Sequence, residues 1–207
     1  MDEIDELVRR HPSLEACRTD IEAAAKGIIS AYEKGGFLIT CGNGGSCSDA
    51  DHIVGELMKG FVKRRPLDDK SKETLDNELF PDLGSKLQTP LRAISLTSSP
   101  ALLTAFSNDV DANLAYAQQA YAWAGPESAF LGISTSGNSK NVLAAGIAAK
   151  AKGAFTIGLT NAVGGAMPSV FDCVIRAPET ETYKVQELHL PIYHALCLAV
   201  EGHFFSK

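Results

Sequence analysis

The chain of 207 residues is 45% hydrophobic with 18 Gly and 9 Pro, enough apolar material for a sizeable core and a length that fits one domain over residues 1–207 better than two. A formal net charge of −6, with no basic run longer than Lys63–Arg65, gives no electrostatic reason for a nucleic-acid groove, so an anionic ligand needs a local site. The five cysteines form no CxxC pair, the acidic amphipathic N-terminus lacks a signal peptide's apolar core, and no run has the length to span a bilayer; reduced thiols in a cytoplasmic protein without a membrane partner are expected.

In chain order, Leu14, Cys17, Ile21, Ala24, Ile28 and Tyr32 recur at helical spacing and predict a long N-terminal helix over Ser13–Lys34, with Ser13 as N-cap and Gly35-Gly36 as stop. Short apolar runs follow at 37–41, 92–97, 129–134, 154–160 and 173–177, bounded by Gly, Ser, Pro or Asn as buried strands are. Helical patterns at 46–59, 99–107, 112–124, 139–152 and 181–205 lie between or after them. This alternation predicts an α/β fold, a doubly wound parallel sheet of about five strands flanked by helices. The segment 62–90, charged and punctuated by proline, reads as an insertion with one short helix near Ser71–Leu79, either a solvated excursion or a lid or interface element.

Ligands of such sheets bind beyond the carboxyl ends of the strands, where "GNGGS", "SSP" and "TSGNS" emerge here. Ser134, Thr135, Ser136 and Ser139 surround Gly137 where a strand yields to a helix, which offers hydroxyls, amides and a helix dipole to an anion. The other reading is a polar turn with Ser139 as helix N-cap. There is no Walker lysine pattern, so a nucleoside triphosphate is not indicated. His52 and Glu56, four apart, share a helix face and suit a metal, a proton path or a plain surface pair. Gln186 and His194 lie two turns apart on an otherwise apolar C-terminal helix, offset by roughly 80° on the 3.6-residue repeat. Pro191 between them removes the bond to the Glu187 carbonyl and predicts a kink.

Together "CGNGGSCSDADHIVGEL", "FSNDVDANLAY", "GISTSGNSKNV" and "VQELHLPIYHAL" stand in the order and loop positions of the sugar isomerase (SIS) domain. More narrowly the chain resembles the phosphoheptose isomerases, which interconvert sedoheptulose 7-phosphate and D-glycero-D-manno-heptose 7-phosphate; all but residues 62–90 takes part. The resemblance implies that Ser134, Thr135, Ser136 and Ser139 hold the phosphate. It implies that Asn43, Gly44, Gly45, Ser46, Asn108, Asp109 and Gln186 line the sugar. It implies one Zn2+ per subunit on His52, Glu56, Gln186 and His194, and Glu56 and His194 as the acid/base pair acting on a sugar already in contact with Glu56. A homotetramer, or a dimer, is implied as well.

Such chemistry accounts for the residue types, because moving a carbonyl between C1 and C2 needs a base, an acid and a cation or donor for the enediolate. By that resemblance Glu56 is assigned to the C1–C2 proton and His194 to ring opening or oxygen, or the two with their roles exchanged. The alternative is a non-catalytic SIS module, a sugar-phosphate sensor or a replication-initiation scaffold, for which a converging acid, base and metal set has no use. Two features depart from the family pattern: Tyr183 three before Gln186, where a small or acidic residue is common, and the 62–90 insertion. The apolar stretch 195–205 suits a subunit interface or a core-facing helix.

Overall fold

The computed structural model describes residues 2–205; Met1, Ser206 and Lys207 of the expected 1–207 span lie outside it. Five parallel strands, β1 (Leu38–Gly42), β2 (Ala93–Ser95), β3 (Ala129–Ile133), β4 (Phe155–Asn161) and β5 (Cys173–Ala177), form one sheet in the order β2-β1-β3-β4-β5. Every residue of β1 and of β3 is buried, as strands covered by helices on both faces must be. One apolar cluster gathers Ile21, Ile28, Leu131, Ile157 and Val200 on one side, and a second gathers Ile39, Phe130, Val142 and Phe171 on the other.

The expected 13–34 helix is helical up to Glu33, but in two forms: a 3-10 segment at Pro12–Cys17, with His11 rather than Ser13 at its N-cap, then α2 at Arg18–Glu33. A separate amphipathic α1 (Asp2–Arg10) precedes it and buries Ile4 and Leu7. The remaining helices, α3 (Gly45–Met58), α6 (Pro100–Phe106), α7 (Ala115–Trp123), α8 (Lys140–Ala151) and α9 (Thr182–Phe205), match the expected positions. Pro191 does not end α9, which runs unbroken through it. The stretch 195–205 faces the core, with Ala195, Leu196, Cys197, Val200 and Glu201 buried.

The 62–90 segment carries α4 (Asp69–Leu75) and α5 (Leu83–Lys86). Its two ends meet in an isolated bridge, Pro66 to Gln88, and in the Thr89 N–H bond to the Arg65 carbonyl at 2.7 Å. It therefore leaves and rejoins the body at one place, directly after α3. Leu79 and Phe80 at its far end are exposed.

Candidate active site

In the order β2-β1-β3, the chain continues to opposite sides of the sheet from β1 and β3, and the crevice between them is where ligands of doubly wound sheets bind. The loop after β1 holds Asn43 and Gly44 and opens α3 at Gly45; the loop after β3 holds Ser134 to Ser139. A reciprocal carboxamide pair ties them together: Asn43 Nδ2 donates to Asn141 Oδ1 and Asn141 Nδ2 to Asn43 Oδ1, each at 2.8 Å. Asn141 Oδ1 also accepts the Val142 N–H at 3.0 Å. Asn141 was not among the residues singled out from sequence, since one amide in the first turn of a helix reads as an ordinary surface residue.

Ser139 occupies the N-cap position of α8 without making a side-chain capping bond. Its Oγ lies 2.9 Å from Ser134 Oγ, which is 3.5 Å from Ser136 Oγ. Three hydroxyls thus cluster at the start of a 12-residue helix, where amide donors and dipole favour an anion. Gly137 permits the turn: its φ is +67°, and a Cβ there would stand 2.1 Å from the Gly164 carbonyl oxygen, so the loop folds tightly on the one after β4. Thr135 is half-buried beside them and Ser46 is buried at the first turn of α3.

Helices α3 and α9 run side by side in the same direction. Gln186 sits against Gly45, whose added Cβ would be 2.5 Å from Gln186 Nε2. One turn to two turns on, Tyr193 Oη lies 2.9 Å from His52 Nδ1 and donates to Asp49 Oδ1 at 3.3 Å. His52 Nε2 lies 3.1 Å from Glu56 Oε1, Lys59 donates to Glu56 Oε2 at 3.0 Å, and the His52 and His194 rings meet edge to face at 5.1 Å. Tyr193 and Asp49 also escaped the sequence reading, because recognising them requires two helix faces to be read against each other.

Burial raises the Glu56 carboxyl, but Lys59 and His52 outweigh it and hold the group below its ordinary value. Burial and the nearby His52 hold the His194 imidazole below its ordinary value against the pull of Glu56. An anionic carboxylate and a neutral imidazole therefore coexist at neutral pH. Burial raises the Asp49 carboxyl despite its bond from Tyr193. A cleft of about 400 Å³ between α1 and α9 reaches His194, with Arg10, His11 and Glu187 on its walls.

Two imidazoles, a carboxylate and a carboxamide are zinc donors by chemistry, and His194 Nε2 is buried with no hydrogen-bond partner, as a nitrogen kept for a ligand would be. The set is not drawn together: among the described residues no three His, Cys, Asp or Glu side chains gather at metal-binding spacing. His52 Nε2 and Glu56 Oε1 face each other, and Gln186 stands at the other end of α3. Asn108 and Asp109 lie exposed on a π-helical turn, Ser107–Asp111, bonded to one another at 2.9 Å. Tyr183 is 57% exposed at the start of α9, turned to solvent.

The profile of the SIS domain matches residues 2–161. A phosphoheptose isomerase of Solidesulfovibrio magneticus is 37% identical over 186 residues, 90% of this chain and 79% of that one. Among solved structures, the phosphoheptose isomerase GmhA of Neisseria gonorrhoeae superposes with a TM-score of 0.75 at 27% identity, covering 96% of this chain and 94% of that one. A phosphoheptose isomerase of Francisella tularensis gives 0.76 at 29%, covering 92% and 90%. With an SIS-type sheet whose β1 and β3 loops are bridged by amides, a serine cluster at a helix start and relatives matched over most of their length, the chain belongs to the SIS-domain family, among the phosphoheptose isomerases.

Proposed function

We propose that the protein is a phosphosugar aldose–ketose isomerase that converts sedoheptulose 7-phosphate to D-glycero-D-manno-heptose 7-phosphate through an enediol(ate). The observation that carries this reading is the meeting of the His52–Glu56 pair of α3 with His194 of α9, on helices that start from the same crevice as the serine cluster. Ser134, Thr135, Ser136 and Ser139 bind the phosphate with the start of α8. Asn43, Gly44, Gly45, Ser46, Asn108, Asp109 and Gln186 contact the sugar, and the missing Cβ at Gly45 lets Gln186 approach the backbone.

Glu56 takes the proton from the carbon beside the carbonyl, leaving the enediolate, and returns it to the neighbouring carbon, so that no proton is gained or lost overall. His194, neutral before the reaction, moves the matching proton between oxygens: it accepts the proton of the C1 hydroxyl as that carbon becomes the carbonyl and delivers it to the oxygen on C2, and it can serve ring opening in the same way. By donor chemistry His52, Glu56, Gln186 and His194 are the residues that would hold a zinc ion, one per subunit, which would polarise the sugar oxygens when bound; holding it would require their side chains to move together from the separated positions described. Tyr193, bonded to both Asp49 and His52, fixes the ring orientation of His52.

Self-association as a tetramer or dimer is supported by α6 and the following π turn, which bury none of their residues and expose Leu102 and Val110; light scattering decides the state. A cytoplasmic setting agrees with five free cysteines, and among the described residues no helix is long and apolar enough to cross a membrane. The test is turnover of sedoheptulose 7-phosphate followed by NMR, with and without chelator. The parent should be active and folded Glu56→Gln and His194→Ala variants should lose at least about 100-fold in kcat; a parent inert on every five- to seven-carbon ketose phosphate sinks the reading.

A further inference from the structure

Arg65 and Glu201 face each other with both side chains fully buried, Arg65 Nη2 2.6 Å from Glu201 Oε1 and Arg65 Nε donating to the same oxygen at 2.8 Å. A buried ion pair is weak evidence for stability, because desolvation offsets most of the attraction. What the two groups hold besides each other is more specific. Arg65 Nη1 donates to the Leu57 carbonyl at 2.7 Å, and Nη2 reaches the Glu56 carbonyl at 3.4 Å. These belong to the last turn of α3, whose carbonyls have no intrahelical partner. The Leu57 carbonyl also receives the Leu91 N–H at 3.0 Å.

Glu201 accepts three successive amides, those of Phe61 at 2.8 Å, Val62 at 2.9 Å and Lys63 at 3.1 Å. The ring of Phe61 lies against the His194 ring, 5.4 Å between centroids. One side of the ion pair therefore grips the backbone of Glu56, and the other, through Phe61, backs the imidazole of His194. Nearer the chemistry, the Tyr193 bonds to His52 and Asp49 also cross from α9 to α3, but they hold α3 a turn or more before Glu56. Lys59, 59% exposed, is too solvated to fix a geometry, and the His52–Glu56 bond lies within one helix, so it sets no register between α3 and α9.

On the acid/base reading of Glu56 and His194 given above, we infer that Arg65 and Glu201 are positioning residues for the isomerisation, fixing α3 against α9 so that carboxylate and imidazole reach the same sugar. Neither touches substrate. Misplacing a reacting group by about 1 Å costs on the order of 100-fold in rate, so a loosened α3 end should slow the proton transfer while the serine cluster, at the start of α8, still binds phosphate.

The test uses the whole chain with Arg65→Met and Glu201→Leu combined, which leaves no unpaired buried charge, and Arg65→Lys alone, which keeps the cation but loses the planar fork. Two quantities are measured: kcat and KM per folded molecule on sedoheptulose 7-phosphate, and the NMR signals of the His194 ring, identified by their loss in His194→Ala. Expected are a kcat lowered about 10- to 100-fold, a KM within about threefold of the parent, and displaced His194 signals. A parental kcat, or His194 signals at their parental positions, overturns the assignment. If the double variant does not fold, Arg65→Lys decides by the same criteria. If the parent itself turns nothing over, the functional reading fails, while the ring signals alone still decide whether the ion pair positions His194.

Discussion

Ser139 stands where a helix N-cap belongs and leaves the capping bond unmade, its hydroxyl turned to Ser134 instead. A serine that gives up a bond available in its own helix is arranged for something outside the helix. Hydrogen bonds to charged groups contribute about 1.5–3 kcal/mol, so Ser139→Ala should raise KM for a phosphorylated sugar by roughly ten- to a hundredfold with kcat little changed. Steady-state kinetics on the variant check this; an unchanged KM removes Ser139 from the phosphate site. The hydroxyl density of "TSGNS" made this loop legible from sequence. Asn141 was not legible, because its partner Asn43 is 98 residues away and nothing local distinguishes it from a solvated amide.

At the level of elements, the strands and main helices were readable because short apolar runs and 3.6-residue patterns alternate without conflict. The first helix is divided because Pro12 opens a 3-10 segment that Arg18 then continues as α-helix. What could not be read was the parallel run of α3 beside α9. It sends Gln186 to Gly45 and His194 to His52, a separation along the helices that periodicity on α9 alone cannot reveal. The turn between β3 and α8 depends on one residue. Gly137→Ala places a side chain at a positive φ, which costs roughly 1–2 kcal/mol, and drives its Cβ into the Gly164 carbonyl. Chemical denaturation should show a loss of at least about 1 kcal/mol, accompanied by loss of phosphate-dependent substrate affinity; a variant as stable and as tight-binding as the parent contradicts the close approach of Gly137 to Gly164.

For the molecule as a whole, His189 couples stability to pH. It is completely buried, its Nε2 is 3.4 Å from the Thr160 carbonyl, and its Nδ1 has no hydrogen-bond partner. Burial, opposed only by the Thr160 bond, pushes its pKa down from 6.5 to about 4. Between those values the unfolded chain carries the proton and the folded chain does not, so stability is full above pH 6.5 and falls as pH drops toward 4. The contribution lost is about 3 kcal/mol at 1.36 kcal/mol per unit. Urea unfolding across this range should show a steeper decline for the parent than for a folded His189→Gln variant; equal slopes remove His189 as the source.

The amide bridge between Asn43 and Asn141 has a further consequence at this scale. It closes a loop of nearly half the chain, with β1 and β3 paired beneath it, so the crevice exists only while the sheet is intact. A sugar phosphate spanning both loops is then a ligand of the folded state alone, and at 100 times its dissociation constant should stabilise the fold by about 2.7 kcal/mol. Binding can therefore be read as a rise in melting temperature in protein that performs no turnover, including the folded Glu56→Gln variant. Inorganic sulfate or an unphosphorylated heptose, each engaging one loop, should give the smaller shifts; equal shifts for all three would mean that the two loops do not share a ligand.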